Sequence, residues 1–310
     1  MSEMQSFEDQ IDIFFGATSG VESQIYARIT GCDGVRLAGH VRGPYCAYAN
    51  TLPTDFALRP LGTENTTTVR SLVADPCFWT PDLPFLYDVT ITVEAEGREQ
   101  EMVRRKIGIR PLAVAANNFR YAGRRYVMRM VDLAMVAEEY CDQSELLAVS
   151  RKTGTGLLAE SLEESLAVEA SREGVLLAAR VEGDDEEMVT RALRRLARWP
   201  AVAMAVLDDR IDLPRELSQR APNLILACQL TRTLQGGPPA WAQVLLVDRV
   251  ALQRGDVPLS AITQPVIVIK QLAAAVPLLE ARRFCDDLQR ETAPLGDLAG
   301  YIVGCRKGAL

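Results

Sequence analysis

The stretch Gln264–Lys270, QPVIVIK, places four β-branched residues behind a proline and ends them in a cation. The pattern predicts a strand buried on both faces, with Pro265 at its start, where a missing N–H is tolerated. A lysine at the end of such a strand has two readings. A desolvated amine could form a Schiff base with a carbonyl substrate. The structural alternative is a cation paired with a carboxylate, and Asp208-Asp209, after the strand VAMAVL, supply two candidates. That acidic pair is itself a possible acid/base couple, although neighbours on a strand point to opposite faces, so only one can aim into a site.

Other chemistry-bearing groups are sparse. RKTGTG (151–156) offers a glycine-containing loop for a phosphate, without the Walker spacing. His40 is the single histidine, and no CxxC spacing occurs among the seven cysteines, so no metal site or cofactor is expected and the thiols read as reduced. Of the tryptophans, Trp79 and Trp199 read as packing residues and Trp241 as a ligand contact to test. A formal charge of −7 with no basic block argues against nucleic acid or anionic membrane as a partner. The N-terminus has no basic-then-apolar signal and no run spans a bilayer, which predicts a cytoplasmic chain. Asn65-Thr66-Thr67 matches a glycosylation sequon, read as chance without a secretory signal. Apolar loops such as AAAVPLL offer surfaces for a homo-oligomer.

Two textures must position these residues. Up to about residue 112, short alternating runs broken by Gly, Pro, Asn and Asp predict an antiparallel β-sandwich over 1–112. Over 113–310, apolar runs alternate with amphipathic helices. The predicted strands are 125–131, 146–150, 175–180, 202–207, 223–229, 242–248, 265–270 and 299–304, with helices over 157–173 and 184–198. Eight such strands are the number that closes a compact (β/α)8 TIM barrel; an incomplete barrel or an open sheet is the alternative, because 230–262 is poor in helix signal.

FWTPDLPFLYDVTITVE (78–94) followed by RRKIGIRPL (104–112) resembles the end of the immunoglobulin-like domain of family 2 glycoside hydrolases, the β-galactosidase, β-glucuronidase and β-mannosidase group. NNFRYAGRRYVMRMVDL (117–133) resembles their first barrel strand, MVTRALRRLARWPAVAMAVLDD (188–209) their xVRRxRNHPSIxxWSLGNE, and QPVIVIKQLA their KPIIVTEYGA. The resemblance implies an immunoglobulin-like sandwich followed by the barrel, without the jelly-roll domain that usually precedes them. It implies a retaining mechanism of two carboxylates, one acid and one nucleophile. The acid falls on Asp209, Asp208 replaces the asparagine that holds the sugar 2-hydroxyl, and the nucleophile falls on Lys270. Arg129 keeps the family's arginine, Asp132 replaces its asparagine, and Arg180 stands where its WDE segment ends. The expectation is a glycosidase-like pseudoenzyme that binds carbohydrate or a protein partner, with Arg129, Asp132, Arg180 and Asp208 as binding residues. The alternatives are an enzyme of another class using Lys270 on a carbonyl or anionic substrate, and a residual glycosidase with Asp209 as general acid.

Overall fold

A computed structural model describes residues 7–30, 34–63, 66–136, 140, 142–183, 185–231 and 237–305. The chain divides into two units, Met1–Arg110 with Ala197–Pro200, and Pro111–Leu196 with Ala201–Leu310.

The first unit is one seven-stranded antiparallel sheet. Its strands are β1 (Ile11–Thr18), β2 (Glu22–Thr30), β3 (Val35–Tyr45), β4 (Thr54–Thr63), β5 (Thr66–Ala74), β6 (Leu86–Ala95) and β7 (Glu101–Ile107), in the order β1-β2-β5-β4-β3-β6-β7. Alternation fixes which face is dry: Ile25, Ala27 and Ile29 of β2 are buried while their neighbours are half-exposed. The edge strands share one core, because Ile11 of β1 and Val103 and Ile107 of β7 lie in the same cluster. A flat sheet cannot bring its two edges into one core, so this one curls. Trp79 is fully buried, and its ring lies against Gly108, where an added Cβ would sit 2.8 Å from it. Trp79 is therefore a packing residue, and half-buried Trp199 belongs to the same unit.

The second unit opens with a three-stranded antiparallel sheet, β8 (Leu112–Ala115), β9 (Asn118–Tyr121) and β10 (Arg124–Tyr126). Next come β11 (Met128–Asp132), α1 (Leu133–Val136), α2 (Gln143–Thr153), β12 (Gly156–Ala159), α3 (Glu164–Glu173), β13 (Leu177–Arg180), α4 (Glu186–Leu196) and β14 (Val202–Asp208). The chain continues through α5 (Leu217–Arg220), β15 (Ile225–Gln229), β16 (Val244–Asp248), α6 (Arg249–Arg254), β17 (Val266–Leu272), α7 (Leu278–Thr292) and β18 (Gly300–Cys305). Strands β11 to β18 form a closed parallel barrel, with β18 pairing back onto β11. Closure occurs although the helical layer is thin: α5 has four residues, α6 has six, and no described residue between β15 and β16 is helical. Fully buried Leu226, Cys228, Leu245 and Val247 show that this thin stretch still covers the barrel wall.

One predicted strand is wrong. Residues 146–150, LLAVS, lie in α2, and the second barrel strand is β12, which overlaps the start of the helix predicted over 157–173. Asp142 caps α2 by accepting from the Glu145 N–H at 2.8 Å, and Gly154 ends it in the left-handed conformation. Leu146, Leu147 and Ser150 then form its buried face. RKTGTG is consequently the end of a helix leading into a strand. Its carbonyls, not its N–H groups, are the free ends there, so the phosphate reading has no support.

The barrel interior is a stack of alternate residues: Met128 and Met130, Leu158, Ala178, Met204 and Val206, Ile225 and Ala227, Val244 and Leu246, Ile267 and Ile269, and Ile302 share one core cluster. Phe119 of β9 joins it, with Leu112, Val114 and Tyr126 packed alongside, so the small sheet closes the end where the strands begin.

Candidate functional site

Continuing that alternation by one more step lands on a polar ring at the carboxyl ends of the strands. The positions are Asp132, Glu160, Arg180, Asp208, Gln229, Asp248, Gln271 and Gly304. Asp248 turns aside to cap α6, accepting from the Val250 N–H at 2.7 Å. Asp132, Glu160, Arg180, Asp208, Gln229 and Gln271 line a cavity of about 630 Å³, together with Val206 and Leu207, loop residues Val181–Gly183, Arg210, Ile211 and Thr231, and Cys305. Among the described residues no aromatic side chain lines it. This is the end of a parallel barrel where ligand sites are built.

Arg180 organises the ring. Its Nε lies 2.7 Å from Glu160 Oε1, an approach that misses hydrogen-bond alignment and is held by charge, while its Nη1 donates to Gln229 Oε1. Asp132, 6% exposed, accepts from the Ala134 N–H at 3.0 Å and so fixes the first turn of α1. Asp208 accepts from the Arg210 N–H at 2.8 Å, and its second oxygen stands 3.9 Å from the Arg210 guanidinium. Gly304 brings the backbone close to the ring: a Cβ there would fit tightly, 3.3 Å from Gln271 Oε1 and 3.4 Å from Asp132 Oδ2. Gln271 Oε1 is buried and accepts no hydrogen bond.

Of the residues singled out in the sequence, Asp132, Arg180 and Asp208 meet in this cavity. Lys270, Arg129 and Asp209 do not line it. Strand β17 pairs with β18 in regular register through Leu272↔Cys305, without a bulge to re-aim its side chains. Ile267 and Ile269 face the interior, so Gln271 does too and Lys270 takes the outer face. There the Lys270 ammonium lies 3.4 Å from Glu291 Oε1 of α7 and 5.3 Å from the centre of the Phe284 ring. The expected pairing with Asp208 or Asp209 is replaced by this outward one. Arg129 also faces α7, with Nε 3.2 Å from Asp286 and Nη2 donating to Gln289 at 2.6 Å. Asp209 accepts from the backbone N–H and the hydroxyl of Thr231, tying two loops together. Trp241 is 3% exposed and outside the cavity, not a platform for a ligand.

Cys228, buried on the outer side of β15, has its thiol pushed up to about 12 by burial, and by the charges of Asp209 and Asp208. It is inert at neutral pH. Cys46, Cys77, Cys228, Cys285 and Cys305 carry free thiols; Cys32, Cys141 and Asn65 lie outside the described residues. Among the described residues no group of three or more His, Cys, Asp or Glu is arranged to hold a metal ion, and no helix is long and apolar enough to cross a membrane.

Residues 53–110 match the model of the glycosyl hydrolases of family 2. The chain is similar to that family. No curated protein sequence matches it. Solved structures of family 2-type enzymes share its fold: a family 2 member from Bacteroides cellulosilyticus at TM-score 0.64 and 12% identity, covering 96% of this chain and 43% of that one; the Parabacteroides merdae β-glucuronidase at 0.58 and 12%, covering 96% and 47%; and a putative β-galactosidase from Bacteroides fragilis at 0.58 and 15%, covering 95% and 54%. The family 2-like chain thus spans about half the length of these structures. Its matched segment holds the Trp79–Gly108 contact and Tyr87, whose hydroxyl accepts from the Cys77 N–H at 2.8 Å.

Proposed function

We propose that this family 2-like chain binds a carbohydrate at the barrel mouth without hydrolysing it. The observation that carries the proposal is Gln271. A retaining glycosidase needs two carboxyl groups about 5 Å apart, one of them nucleophilic. Strand β17 turns an amide into the cavity, and an amide oxygen does not form the glycosyl-ester intermediate. Lys270, facing α7, and Asp209, engaged by Thr231, do not line the cavity. The immunoglobulin-like reading of the first unit is part of the proposal. It is supported by Tyr87 at the start of β6, whose hydroxyl reaches back to the backbone of Cys77.

Binding rests on hydrogen bonds and charge, because the described residues of the wall include no aromatic platform. The test is paired. A panel of nitrophenyl glycosides should show no turnover, while ligand-observed NMR should detect monosaccharide contact that Gln271→Leu abolishes. Hydrolysis that disappears in Asp208→Asn would overturn the proposal.

A further inference from the structure

We propose that the outer face of the first sheet binds a sulfated polysaccharide, on a row of side chains that crosses four strands. The row lies wholly within the first unit and does not depend on the barrel mouth. Phe14 of β1 stands opposite Tyr26 of β2, Tyr26 opposite Arg70 of β5, and Arg70 opposite Arg59 of β4. Directly paired residues share a face of the sheet. That face is the outer one, because the alternate residues Ile25, Ala27, Val69 and Leu58 fill the core. At one strand spacing per step the row spans about 14 Å.

The two ends of the row differ in what they still need. Phe14 and Tyr26 stack on each other, with ring centres 5.2 Å apart and planes at 15°. Tyr26 also covers Gly16, where an added Cβ would sit 2.6 Å from its ring. The neighbouring Arg28 is matched by Asp12 at 3.3 Å, and Asp55 of β4 is matched by Arg42 at 3.8 Å. Arg70 and Arg59 are not matched: among the described residues neither guanidinium has an ion pair or a side-chain hydrogen bond. Like charges directly opposite on paired strands destabilise a sheet, so stability does not account for this pair. An anion held between the two guanidiniums would remove the repulsion.

The chemistry of the row selects the anion and its carrier. A carboxylate has two oxygens, and one guanidinium fork occupies both. A sulfate ester has three terminal oxygens, enough to be shared by two forks, and it stays ionised throughout the physiological pH range. A nucleic acid also carries such oxygens, but its bases need free ring faces, and these two rings face one another. A pyranose needs only apolar surface for its C–H groups, which the half-buried Phe14–Tyr26 pair supplies beside the cations. Arg59 and Arg70 belong to no basic block in the sequence; strand pairing alone brings them together.

The full chain would be titrated calorimetrically at low salt with dextran sulfate, carboxymethyl dextran, neutral dextran and single-stranded DNA. Dextran sulfate is expected to bind about tenfold more tightly than carboxymethyl dextran, and neutral dextran not at all; added salt should weaken the binding. Arg59→Gln combined with Arg70→Gln should weaken dextran sulfate by about tenfold or more, with an unfolding curve confirming that the double variant folds. Arg124→Gln, which removes an exposed arginine of the second unit, should leave it unchanged. Without polymer, Arg59→Gln should unfold at a urea concentration no lower than wild type, because it relieves a like-charge pair. Dextran sulfate binding that survives the double substitution, or that Arg124→Gln weakens equally, overturns the inference. So does binding of carboxymethyl dextran or single-stranded DNA as tight as that of dextran sulfate. The barrel mouth is tested separately, with monosaccharides and Gln271→Leu, so either reading can fail alone.

Discussion

Gln271→Glu is the substitution that most directly probes the barrel mouth. It changes an amide for a carboxylate of the same size, so packing is conserved and charge is the only new variable. Gln271 Oε1 and Asp132 Oδ2 lie 3.3 and 3.4 Å from the position of a Cβ on Gly304, and so within about 7 Å of one another. At an effective dielectric constant of about 20, two negative charges at that separation repel by about 2 kcal/mol. The repulsion raises the new carboxyl by between one and two pK units in the folded state, above its unfolded value of about 4.3. An acid raised in this way destabilises the fold only when ionised. The deficit is therefore absent below about pH 4, grows as pH rises through the unfolded value, and is complete above the folded one, near pH 6. Urea unfolding of both proteins between pH 4 and 8 measures it. A variant matching wild type at pH 8 would refute the placement of Gln271 beside Asp132, and so would a more stable one.

Three further outcomes follow from neighbouring geometry. Lys270→Met should cost less than about 1 kcal/mol in urea unfolding, because Glu291 keeps Arg249 at 3.4 Å, and sugar binding should be unchanged because Lys270 lies outside the cavity. Ala122, at φ 47° in the turn between β9 and β10, pays for a left-handed backbone, so Ala122→Gly should raise barrel stability by about 1 kcal/mol in the same assay. Burial pushes the Asp286 carboxyl up, but the hydrogen bond and charge of Arg282, joined by Arg129, hold it below its usual range. Its contribution is present above the unfolded value of about 3.9 and lost as pH falls through the lower folded one, so Asp286→Asn should flatten the acid limb of the stability curve below about pH 4.

The number of barrel strands was legible because buried parallel strands are dense apolar runs, and seven of the eight predicted runs overlap one. The second was misplaced for a definite reason. LLAVS and GLLA are both short and apolar, and a run of that length has no period that separates strand from helix. The signals that decide it are at the edges: Asp142 can cap a helix that includes LLAVS, and Gly154 can end it. The curl of the first sheet was out of reach, because it depends on Ile11 meeting Val103 and Ile107 across nearly a hundred residues.

The site was legible for a different reason than the resemblance suggested. Matching QPVIVIK to KPIIVTE aligns letters and puts a cation where the nucleophile belongs. The pleat aligns faces. In β17 the interior residues Ile267 and Ile269 carry the count to Gln271, just as Met128 and Met130 carry it to Asp132, and Met204 and Val206 to Asp208. Five other strands follow the same count, and the register between β17 and β18 contains no bulge that would break it. A one-residue shift against the family pattern therefore exchanges an ammonium on the outer wall for an amide in the mouth. The non-hydrolytic reading proposed above therefore rests on that amide and not on Lys270, which lies against α7 through Glu291.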